Sequence, residues 1–141
     1  MTIGTAFAND LAKLLFNGTA IANIADNAAS SPLTDYQLAL HTASPGSGDQ
    51  TANESTDPAY ARKAVARTSG GLTVTGNVIN LTSTLTFNEE SGADVTYTHV
   101  SVGIAASGAS MILVYGELST PIHGGAGKIP QLKTTTSITI S

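Results

Sequence analysis

Cysteine and tryptophan are both absent from the chain, and charge is scarce at 11% of residues, against about 25% in an average soluble domain. Without cysteine there is no disulfide framework, no zinc–thiolate centre and no thiol nucleophile. Only six Lys or Arg stand in a chain of net charge −4. Binding a phosphate backbone needs clustered cations, so no nucleic-acid partner is expected. No apolar run approaches the length of a membrane-spanning helix, and no membrane partner is expected. The lone early cation, Lys13, sits inside the apolar pattern and not before it, which is wrong for a secretory signal. With Met1 retained, the expectation is an unprocessed product of the host cytoplasm. A surface this poor in charge has little colloidal protection, which points to coverage by copies of itself or by a partner.

Ser, Thr, Gly, Ala and Asn fill the chain instead. A domain of 141 residues buries about 68–70% of its unfolded surface, enough for a core without metal or cross-link. The division expected is an N-terminal helix and extended connector over 1–34, then a β-sandwich domain over 35–141.

Residues 5–17 (TAFANDLAKLLFN) give the one convincing helix. Phe7, Leu11, Leu14 and Leu15 make an apolar stripe, Thr5 is a fair N-cap, and Asn17-Gly18 is a stop signal. Residues 19–34 read as a connector of small polar residues. From Asp35 the pattern turns to strand, with Tyr36, Leu38 and Leu40 on one face and Gln37, Ala39 and His41 on the other. Residues 42–58 form a long loop with turn chemistry at Pro45-Gly46 and Ser47-Gly48. Extended structure resumes over 60–68, and LTVTGNVINL reads as a hairpin around Gly76-Asn77. Leu85 and Phe87 open a short strand, and 95–105 alternates cleanly. Met111 to Leu118 is apolar enough on both faces to be a central strand. Leu132, Ile138 and Ile140 give a last strand. About eight short strands and one helix mean a mainly β fold, a single β-sandwich or jelly roll with an N-terminal amphipathic helix.

Candidate chemistry is thin. Gly124-Gly125-Ala126-Gly127-Lys128 lacks the Walker spacing and the helix that a phosphate loop requires, and reads as an inter-strand loop. His41, His99 and His123 show no metal-ligand spacing and would have to converge from separate strands. Glu89, Glu90 and Asp94 flank a turn and read as solvated. No catalytic, cofactor or metal site is assigned, and the expectation is that the protein is not an enzyme. Arg62, Lys63 and Arg67 are the densest positive group, with strand parity turning Arg62 away from the other two.

The segments NGTAIANIADNAASSPLT, YQLALHTASPG and YARKAVART carry a resemblance. They are similar to a family of small bacteriophage and prophage structural proteins with an LHTAxPG strand-and-turn followed by a GYAR-type strand. Its members are often labelled tail-fibre proteins. The chain looks most like the capsid cement (decoration) proteins of short-tailed phages such as the Bordetella phage. Here Ala59 stands where the family usually has the glycine before Tyr-Ala-Arg. The resemblance implies a jelly-roll-like cement protein on the outer surface of the virion head, binding the major capsid protein across subunit junctions and needing no cofactor. A homodimer at two-fold positions is expected. Phe7, Leu11, Leu15, Tyr60 and Arg62 are the expected partner contacts. The alternative is a tail or tail-fibre component of the same virion. A carbohydrate-binding jelly roll is disfavoured by the shortage of aromatics.

Overall fold

A computed structural model describes residues 5–21 and 33–140, apart from the side chains of Thr5 and Phe7. The chain is mainly β with one N-terminal helix, as the patterning predicts. In order the elements are α1 (Thr5–Asn17), β1 (Asp35–His41), β2 (Lys63–Ala66), β3 (Leu72–Thr75), β4 (Val78–Leu81), β5 (Leu85–Thr86), β6 (Val95–Gly103), β7 (Ile112–Gly124), β8 (Gln131–Leu132) and β9 (Ser137–Thr139). They gather into two compact units drawn from interleaved stretches. The first takes Met1–Asp35, Val65–Thr84 and Lys133–Ser141; the second takes Tyr36–Ala64 and Leu85–Leu132.

In the first unit α1 lies on β3 and β4. The helix begins and ends where the sequence signals put it, but its buried seam is Ala8, Ala12 and Phe16. Leu11, Leu14 and Leu15 are half-buried beside that seam. The expected leucine stripe is thus displaced by one position, about 100° around a helix of 3.6 residues per turn. Two alanines let the helix axis approach the sheet, and the Phe16 ring fills the space beyond them. Removing such a ring from water contributes roughly 1.5–3 kcal/mol. At the C-terminal end Gly18 takes a φ of 65° and the Thr19 N–H donates to Lys13 O at 3.1 Å. The hairpin expected at Gly76-Asn77 forms, with Thr75 opposite Val78 and Gly76 at φ 65°. Positive φ at the first central residue is what a two-residue II′ turn requires, and glycine supplies it without strain. β9 adds to the far side of β4, giving the order β3-β4-β9.

Of the four-stranded sheet in the order β2-β1-β6-β7, the second unit holds all of β6 and β7, residues 36–41 of β1 and 63–64 of β2, together with the short pair β5-β8. β1 is buried on both faces: Tyr36, Leu38 and Leu40 on one, Ala39 and His41 on the other. Two expectations are corrected here. The apolar run from Met111 onward is not a central strand. β7 pairs with β6 and closes the order as an edge, and Met111 and Tyr115 are exposed. The single last strand is two short ones, β8 and β9, with different partners. Much of the 60–68 run is irregular, and only Lys63–Ala66 is strand. The part of the connector at 22–32 lies outside the described residues.

Candidate functional site

The chemistry-bearing residues of the second unit collect around the loop 42–58. This loop is pinned from both ends by backbone bonds, Thr42 N–H to Asn53 O at 2.9 Å and Ser55 N–H to Leu40 O at 3.1 Å. Its centre is held by a buried polar row. His41 Nδ1 stands 3.0 Å from Ala52 O, which can only accept, so Nδ1 carries the proton. Nε2 is then the acceptor for the Ser101 hydroxyl at 2.7 Å. Gln50 Nε2 donates to both Gln37 O at 2.9 Å and Ser101 Oγ at 3.1 Å. Burial is the main force on His41 and pushes its pKa below the usual imidazole value; the Ala52 bond opposes it. The His41–Ser101 spacing would suit a base and nucleophile. Both residues are 0% exposed, so a substrate reaches neither atom.

Beside that row, Glu54 and Arg62 form a two-point ion pair, Nε to Oε1 at 2.6 Å and Nη2 to Oε2 at 2.8 Å. The guanidinium also donates to Ala105 O at 2.9 Å and Gly108 O at 2.8 Å. Arg62 thereby fastens the 42–58 loop to the turn that follows β6. Tyr60 joins the group. Its hydroxyl accepts from the Leu40 N–H at 3.0 Å and donates to Glu54 at 3.3 Å, and its ring stacks on Phe87 with centroids 6.0 Å apart. Burial pushes the Tyr60 hydroxyl well above its ordinary pKa.

A second cluster lines a cleft of about 280 Å³ bounded by Ser55, Asp57, Pro58, Gly92, Asp94 and Tyr97. Behind it Glu90 is buried, not solvated as its place in a charged turn implies. Glu90 accepts from Tyr97 Oη at 2.5 Å and from the Gly125 N–H at 2.6 Å. Since that proton of Tyr97 is committed, Ser55 Oγ must be the donor in its 2.6 Å contact with Tyr97. Asp57 accepts from the Ala59, Ser91 and Gly92 N–H groups, which outweigh its partial desolvation and hold its pKa below the usual carboxylate range. Its lone pairs serve the loops themselves.

The expected contact residues therefore separate. Tyr60 and Arg62 turn inward, and Arg62 has only 2% of its side chain exposed. Leu11 and Leu15 flank the seam of α1, and the side chain of Phe7 lies outside the described residues. Lys63 and Arg67 point to separate internal acceptors. Lys63 donates to Asn88 Oδ1 at 2.6 Å; Arg67 donates to Leu15 O at 2.5 Å and Leu14 O at 2.6 Å, on the last turn of α1. Among the described residues no group of His, Asp and Glu has the arrangement of a metal site, so the three histidines do not converge as ligands. What sequence reasoning missed is the open edge of β7. Its signal was present in MILVYG, an apolar run longer than one sheet face needs.

Comparison with known proteins agrees with a structural role. No curated protein matches the chain. One family model matches residues 2–141, almost its whole length, and carries the description Podophage GP4 fiber I protein gp80. The chain belongs to that family and is a phage structural protein.

Proposed function

We propose that the protein is a component of a fibre-type appendage of a short-tailed phage virion, acting by packing many copies and not by catalysis. The observation that carries this reading is the family match over residues 2–141, whose description names a fibre protein. The fold is in keeping with it. Four of the six Lys and Arg side chains, Arg62, Lys63, Arg67 and Lys128, bond within the protein. The long loop is tied down by a buried ion pair instead of being left free to close on a ligand. A subunit of this kind contributes a rigid surface, and many weak identical contacts supply the strength of the assembly.

The second reading is a capsid cement protein on the outer surface of the head, contacting the major capsid protein. It is favoured by YQLALHTASPG and YARKAVART, which resemble the cement proteins of short-tailed phages. In that reading the partner contacts come from Leu11 and Leu15 and from exposed strand edges, because Arg62 is engaged with Glu54. One experiment separates the two. Purified protein is mixed with isolated tails and with empty expanded heads, and each mixture is sedimented. Sedimentation with tails alone is the expected result. Sedimentation with heads alone transfers the function to the shell, and sedimentation with neither overturns both readings.

A further inference from the structure

The exposed side of β7 is the most conspicuous unused surface in the second unit. At Ile112–Gly124 it is the longest strand, and among the described residues it pairs along its length with β6 alone. Its outer row of N–H and C=O groups is a template for another strand. Proteins usually blunt such an edge with charge, proline or bulges. β7 carries those devices mainly in its second half. Between Tyr97–Ile122 and His99–Glu117 the register shifts, and Pro121 stands in the displaced stretch. The first half is different. Met111 precedes the strand and is bridged to Asp49 of the same chain. From Ile112 to Gly116 there is no charge and no proline, and past the shift at Ile112/Val114 the register from Val114 to Glu117 runs without interruption against Val102 to His99. Tyr115 is 46% exposed on this strand, and the side chain of Met111, just before it, is 61% exposed.

We infer that this half of β7 is an interaction surface for a second copy of the same chain, added as an antiparallel strand about a two-fold axis. The proposal builds on the reading of the protein as a multi-copy virion component. A second copy is favoured by charge. Glu117 is the one Asp, Glu, Lys or Arg in β7, so antiparallel pairing with an identical strand opposes like charges only where the axis falls on Glu117 itself. Registers centred between Met111 and Leu113 set apolar or small residues against one another, and those centred from Val114 to Gly116 place Glu117 opposite an uncharged residue and never opposite itself. A charged peptide would find a single carboxylate to recognise on the same edge. An isologous contact also uses the same strand on both partners, which one open edge supplies.

The test uses the purified full chain, with no phage present, so it fails separately from the fibre and cement readings. Sedimentation velocity from micromolar to hundreds of micromolar should show a dimer for the unaltered protein. The double variant Met111→Lys with Tyr115→Lys should be a folded monomer, since lysines are the residues that natural edges use against pairing. Tyr115→Phe should remain a dimer. Circular dichroism establishes that each variant is folded. As an independent measurement, the cysteine-free background allows single thiols to be placed at Leu113, Val114, Tyr115 and Gly116 in turn. Oxidation should cross-link the position nearest the axis, and Ala93→Cys, in the same unit beside the far end of β7 where Val95 pairs with Gly124, should stay uncross-linked. A monomer at all concentrations, or an oligomer that survives the two lysines, overturns the inference.

Discussion

Arg62 shows how one residue can read as a surface contact and behave as a core element. Its position in a polar segment after a long loop invites a partner, yet its guanidinium is spent on Glu54, Ala105 O and Gly108 O. Breaking a buried pair from one side strands the other charge, at a cost of about 3–5 kcal/mol. Arg62→Ala should therefore lose about that much stability in urea unfolding. Glu54→Leu combined with Arg62→Met should recover part of it, because removing both charges leaves none uncompensated. Recovery remains incomplete since the Ala105 and Gly108 carbonyls lose their donor. A loss below about 1 kcal/mol for Arg62→Ala would mean the pair behaves as an exposed one.

Among the elements, α1 depends on a contact far away in sequence. A helix leaves its last four carbonyls without internal partners, and these carry the negative end of its dipole. The Arg67 fork, some fifty residues on, covers two of them at Leu14 and Leu15. Charged hydrogen bonds of this kind contribute about 1.5–3 kcal/mol. Arg67→Ala should lower stability by roughly 2 kcal/mol, and Arg67→Lys should rescue less than half, since an ammonium cannot reproduce the fork. Equilibrium unfolding of the two variants checks this, and full rescue by lysine would leave only a charge effect. The same element marks what was legible in the sequence. The bounds of α1, β1 and the β3–β4 hairpin follow from signals a few residues apart: periodicity, Asn17-Gly18, Gly76-Asn77. The burial of Arg62 and Glu90 rests on partners such as Ala105, Gly108 and Gly125, which no local pattern announces. β7 misled for another reason. Apolar residues on both faces mean burial, but composition does not say whether the cover comes from the same chain.

For the whole molecule, the groups displaced on the acid side, His41 and the carboxylates of Asp49, Asp57 and Asp94, are all held below their ordinary pKa values. The Tyr60 and Tyr97 hydroxyls are raised and bear only on strongly alkaline solution. His41 is held below the ordinary imidazole value by burial, with Arg62 and His99 adding to the shift and Glu54 opposing it. In the unfolded chain the same imidazole titrates near pH 6.5. Between its two pKa values the unfolded state binds the extra proton, so stability rises with pH across that window and falls as the solution is acidified below about 6.5. Asp57 lies below the carboxylate value of 3.8, so its contribution persists through the His41 window and is lost only when acid protonates the folded carboxylate. The expected profile is a plateau above neutrality, a first decline beginning near pH 6.5 and a second beginning near pH 4. One group limits the first slope to about 1.4 kcal/mol per pH unit. Urea unfolding across the range checks it, and His41→Gln should remove the first decline whatever it does to stability at neutral pH. A first decline that survives in His41→Gln would assign it to another group and would separate the buried His41–Ser101 row from the acid sensitivity of the protein.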